Sequence, residues 1–165
     1  MPGKAHDDIQ RGHAKVRAAA EQLLALLDTR QLADMTELAR ARWSFASELI
    51  QSLTFKERYL YGHFERNSTP AIKDKFAASI AAMEQCFVAY RDHMQRWPTE
   101  ITATSWPDYT RSAQTVVRAF LARIDHEERH LLPIAREMGA LTVSSATPAR
   151  NWARQAFDIK GRIGL

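Results

Sequence analysis

Ile9, His13, Val16, Ala20, Leu23 and Leu27 recur at steps of three and four, which places them on one face of an α-helix, and Asp28-Thr29-Arg30 breaks the pattern. This predicts a first helix over about 6–28. Asp34-Met35-Thr36-Glu37 has the form of a capping box. Behind it Leu38, Ala41, Phe45, Leu49, Ser52, Lys56 and Tyr59 hold one stripe as far as Phe64. Asn67-Ser68-Thr69 followed by Pro70 is a turn with an N-cap and a first-turn proline. It opens a third helix, about 70–96, with Ile72, Phe76, Ser79 beside Ile80, Met83, Phe87, Tyr90 and Trp97 on its stripe.

Ser105-Trp106-Pro107-Asp108 supplies the next N-cap with an acidic first turn. The fourth stripe is Tyr109, Ala113, Val116, Phe120, Arg123, Glu127, Leu131 and Ile134, with Pro133 expected to kink the helix and Gly139 to end it. Residues 140–147 read as loop, and Thr147-Pro148 as the start of a short fifth helix that lays Trp152, Phe157 and Ile159 on the rest. Short links between long amphipathic helices favour antiparallel neighbours. The expected fold is therefore all-α: an up-down-up-down four-helix bundle over residues 1–140, with residues 141–165 as a loop and short helical tail packed on it.

Composition narrows the picture. At 165 residues and 18.8 kDa, with 45% hydrophobic and 25% charged positions, the chain suits one domain with a true core and excludes disorder. The net charge of +4 permits an anionic partner. Its arginines, among them Arg40, Arg42, Arg58, Arg91, Arg111 and Arg118, are spread over every helix without the clustering of a nucleic-acid groove, so no nucleic acid is expected. The single cysteine, Cys86, closes no disulfide within the chain and builds no thiolate cluster, and no stretch of about 18 apolar residues occurs. These features predict a cytoplasmic protein with no membrane span. Neither a Gly-rich phosphate loop, nor a Ser/His/Asp set, nor a pair of catalytic carboxylates is present, so no enzymatic activity is expected.

Each stripe nevertheless carries residues foreign to an apolar core: His13, Ser52 with Lys56, Ser79, and Arg123 with Glu127. Mirroring positions about turns placed roughly at 32, 68 and 101 carries His13 to Ser52, Lys56 to Ser79 and Ser79 to Arg123, within one helical turn. All four helices thus deliver polar groups to one level. An unpaired buried charge costs several kcal/mol, so such a layer must coordinate a ligand or satisfy itself.

Helix two ends Ser52-Leu53-Thr54-Phe55-Lys56-Glu57-Arg58-Tyr59-Leu60-Tyr61, and helix four ends Arg123-Ile124-Asp125-His126-Glu127-Glu128-Arg129-His130-Leu131-Leu132-Pro133. Both segments resemble the His-x-x-x-Glu-Glu-x-x-Leu-aromatic-Pro element of the hemerythrin-like, or HHE cation-binding, bundles, and the resemblance extends over roughly residues 6–138. That resemblance implies an oxo-bridged iron pair serving oxygen binding, sensing or iron handling. It implies ligand roles for His13 and Glu127. It also sets Ser52, Ser79 and Arg123 where the family has histidines, and Lys56 where it has a glutamate.

Lysine and arginine offer no lone pair to a metal at neutral pH. Lys56 and Arg123 are therefore expected to fill the space of the metal pair and neutralise Glu127, with Glu57 beside them and no cofactor. The expected role is that of a non-catalytic regulatory or interaction protein with a protein partner, as a monomer or homodimer. The alternative is a sensor that captures a small anion or a residual metal ion in the layer of His13, Ser52, Lys56, Ser79, Arg123 and Glu127. His126 and His130, at i and i+4, read as part of a solvated face, His93 as structural, and Cys86 as a small core hydrophobe.

Overall fold

The structure is a computed structural model that describes residues 4–28, 34–67, 69–98 and 105–137; the expected tail at 141–165 lies outside the described residues. Among the described residues six α-helical segments form four rods. They are α1 (Lys4–Leu27), α2 (Met35–Lys56), α3 (Gly62–Asn67), α4 (Pro70–Arg96), α5 (Trp106–His126) and α6 (Leu132–Glu137). The second rod runs from α2 to α3 through a π-helical turn, Glu57–Tyr61, and the fourth from α5 to α6 through another, Glu127–Leu131. No strand occurs among the described residues.

Contacts between rods fix their directions. The early part of α1 meets the late part of α2, with Gly12 against Ser52. Arg42, early in α2, reaches Met94 and Trp97 at the end of α4. His93 near that same end meets Ser112 early in α5, while Ser79 near the start of α4 meets Arg123 late in α5. His13 closes the ring by reaching Glu128. Every neighbouring pair is antiparallel, as the short links require.

Start signals work unevenly. The Asp34 side chain accepts hydrogen bonds from the amides of Thr36 and Glu37 at 2.8 and 3.2 Å, a true N-cap. Thr69 and Ser105 occupy the cap positions of α4 and α5 without a side-chain bond, and there Pro70 and Pro107 supply the helical φ in the first turn. Asp34→Ala should cost about 1 kcal/mol, which a thermal melt would register as a fall of roughly 2–4 °C in Tm.

The core is continuous along the bundle. Phe45, Phe87, Tyr90 and Phe120 form its centre, with edge-to-face ring contacts between 5.2 and 6.2 Å. From each π-turn onward the buried stripe departs from the simple periodicity. Leu60 and Tyr61 are buried where Tyr59 was expected, and Ala135 is buried where Ile134 was expected. One cause accounts for both, because a π-turn holds one extra residue and advances the following face by one position. Displaced from the core, Tyr59 stacks on Phe55 with ring centroids 4.3 Å apart. The expected disturbance at Pro133 takes the form of the wide turn ending two residues earlier, where the Leu132 amide bonds the Glu127 carbonyl. Proline is not its general cause, since the second rod makes the same turn without one.

Candidate functional site

At the height of the two π-turns the core becomes polar. Glu127 is fully enclosed, with both carboxylate oxygens engaged: Oε2 accepts from Lys56 Nζ at 2.8 Å and Oε1 from the Tyr61 hydroxyl. His13, also fully buried, sets Nε2 3.6 Å from Glu127 Oε2, too far for a hydrogen bond yet close enough for its dipole or charge to act. Its other ring nitrogen, Nδ1, lies 3.0 Å from Glu128 Oε1; a carboxylate only accepts, so Nδ1 carries the proton. Arg17 clamps Glu128 through both oxygens at 2.8 Å and reaches Asp125 at 2.6 Å, which ties the buried group to the surface.

Electrostatics follow from this packing. Burial alone would push the Glu127 carboxyl up, but the Lys56 ammonium and His13 outweigh it and hold the carboxyl down at about 2. Glu128 is also lowered, its partial burial being overcome by Arg17 and His13. Glu127 is therefore ionised and Lys56 is its counter-ion, both taken out of water.

Arg123 departs from expectation. It does not neutralise Glu127; its Nη2 donates to Ser79 Oγ at 2.9 Å, and Nε is buried without a hydrogen-bond partner. The long side chain turns between α4 and α5 toward Ser79, while Lys56 and Tyr61 engage the carboxylate. Ser52 is buried against α1 at the edge of the layer, and Glu57 is buried at the start of its π-turn. The six expected residues thus divide into a closed group of His13, Lys56 and Glu127, a separate Arg123–Ser79 pair, and Ser52.

Three participants were missed. Tyr61 was hidden by the extra residue of the π-turn. Glu128 falls in the run read as a solvated face around His126 and His130, and Arg17 was not singled out, although one signal was present: an i+1 carboxylate after Glu127, opposite an arginine one turn beyond His13. His126 is half-buried and His130 exposed, their ring centroids 4.7 Å apart. Burial, Arg123 and His130 lower His126. Cys86 is half-buried, and burial pushes its thiol up.

The other end of the bundle holds a second polar group. Arg42, read from sequence as one of the arginines scattered over the helices, is buried, donates to the Trp97 carbonyl at 3.1 Å and lies over the Tyr109 ring. His93 stacks on Tyr109, and its Nδ1 meets Ser112 Oγ at 2.7 Å. Burial first, then Arg42, bring this imidazole down to about 4.

Among the described residues no group of three His, Cys, Asp or Glu side chains is placed to hold a metal ion. In the central layer His13 and Glu127 could donate to one, but the ammonium bonded to Glu127 brings a positive charge and no lone pair. No curated protein and no solved structure gives a significant match to the chain. The model of the hemerythrin HHE cation-binding domain matches residues 4–135. With that match over four antiparallel rods and a polar layer at their centre, the chain belongs to the hemerythrin HHE cation-binding family.

Proposed function

We propose that this protein is a hemerythrin-family bundle in which an internal ion pair replaces the iron pair, and that it acts in the cytoplasm as a non-catalytic regulatory or interaction protein. One observation carries the reading: the Lys56 ammonium lies 2.8 Å from Glu127 with both side chains withdrawn from water. An iron pair needs several carboxylates and imidazoles converging from all four rods. Four of the six corresponding positions here are Ser52, Lys56, Ser79 and Arg123, and the donor set does not fit. The layer instead gives its buried carboxylate an internal counter-ion, which keeps the fold while removing the chemistry.

The surface suits transient contacts. Among the described residues Val88 alone is a large hydrophobic side chain counted as exposed, so a partner would meet a polar face of the kind used in short-lived complexes. The rival reading, a small anion held by His13, Lys56 and Arg123 together, loses support because the first two already face Glu127 and the third turns away.

Metal analysis of the protein expressed in iron-supplemented medium tests the proposal. Substoichiometric iron and no absorption from an oxo-bridged pair are expected; about two irons per chain, the complement of the family's di-iron sites, would overturn it.

A further inference from the structure

Lys75, Ala78 and Ser79 of α4, Arg123 and His126 of α5, and His130 and Leu131 of the adjoining π-turn line a cleft of about 410 Å3. This falls within the roughly 300–1,000 Å3 typical of small-molecule sites. The lining holds two fixed cations, two imidazoles and no carboxylate. Two other clefts balance their charges: Asp8 and Glu48 oppose Arg11 and Lys15 between α1 and α2, and Asp92 and Asp108 oppose Arg96 and Arg111 at the far end of α4 and α5. Of the acids next to its lining in sequence, Asp74 beside Lys75 is exposed, and those of α5 and its π-turn are committed elsewhere. Asp125 and Glu128 bind Arg17, and Glu127 binds Lys56 and Tyr61.

Arg123 is the decisive group. Its guanidinium is anchored at one end by Ser79, carries a buried Nε–H with no acceptor, and among the described residues has no carboxylate within ion-pair distance. A guanidinium held in this way offers a planar fork whose natural complement is an oxyanion. The cleft exceeds the size of a bare phosphate, and Ala78 and Leu131 give it an apolar wall beside the cations.

We propose that this cleft binds a phosphate group, either free or as a small phosphomonoester, with Arg123 and Lys75 as its principal contacts and Ser79 positioning the guanidinium. The site supplies an effector class for the regulatory reading above and rests on that reading only for its biological meaning. Iron in the protein would defeat the ion-pair proposal and leave phosphate binding intact; absence of both would defeat this one alone.

The test titrates the full-length chain with inorganic phosphate and with phenyl phosphate at constant ionic strength, following heat by calorimetry and Tm by thermal melt. Saturable binding of phenyl phosphate is expected, weakened about tenfold by Arg123→Ala. Because that variant also removes a bond to Ser79, Lys75→Ala at an exposed position provides the second arm and should weaken binding roughly threefold with an unchanged melt in the absence of ligand. Arg111→Ala, in the far cleft, should leave affinity unaltered. Equal affinity for the two probes would identify free phosphate as the ligand and support the site. No binding of either probe, or binding indifferent to both Arg123→Ala and Lys75→Ala, would overturn it.

Discussion

Lys56→Met should be among the most damaging single substitutions in this bundle, lowering stability by about 3–5 kcal/mol, because it leaves the Glu127 carboxylate enclosed with its counter-ion gone. Glu127→Gln should cost a comparable amount for the complementary reason, since the buried ammonium then keeps only an uncharged amide as its partner. Far-UV dichroism should keep its helical form in both variants while the urea midpoint falls. The informative variant is the pair Lys56→Met with Glu127→Leu, joined by Tyr61→Phe to remove the hydroxyl left without its acceptor. With shape retained and no charge buried, its stability should return to within about 1–2 kcal/mol of the parent. Costs that simply added along this series would mean that Lys56 and Glu127 do not act as a unit.

Acid should dismantle the fold in two stages. His93 is held at about 4, below its ordinary 6.5, so the unfolded chain takes up its proton first; the stability from the neutral buried ring is complete above about 6.5 and is lost as pH falls toward 4. Glu127 is held at about 2, below its ordinary 4.5, and its contribution is complete above about 4.5 and lost as pH falls toward 2. At about 1.4 kcal/mol per pH unit, each depression corresponds to about 3 kcal/mol. Urea unfolding between pH 7 and pH 2.5 should therefore show a loss centred near pH 5, which His93→Gln removes, and a second below pH 4.5, which the Lys56→Met, Glu127→Leu, Tyr61→Phe variant removes. If His93→Gln left the upper part of the curve intact, the ring would not be buried in its neutral form.

Much of this was legible in the chain. Helices are rods of constant rise, and three short links fix their relative heights, so mirroring residue numbers about the turns brought Ser52, Ser79 and Arg123 to the level of His13 and Lys56, about one helical turn from Glu127. What stayed hidden was not a matter of composition. A π-turn carries no residue signature, and the second rod makes one with no proline near it, so Tyr59 stood on the predicted stripe where Tyr61 delivers the hydroxyl. Arginine escaped for another reason: a long side chain can leave the level of its own Cα. Periodicity placed Arg123 beside Glu127 and counted Arg42 only among the scattered arginines, whereas the first bonds Ser79 and the second lies in the core against Trp97.

The wide turns at Glu57–Tyr61 and Glu127–Leu131 also bear on how the length of this chain can vary. Elsewhere along a rod, losing one amino acid swings everything downstream by about 100° and pulls the apolar face off its neighbours. At these two places a loss of one simply restores an ordinary α-turn, with both flanks left in phase. Single-residue deletions should be survivable there and hardly anywhere else along the helices, making the two turns the natural joints at which descendants of this sequence could shorten.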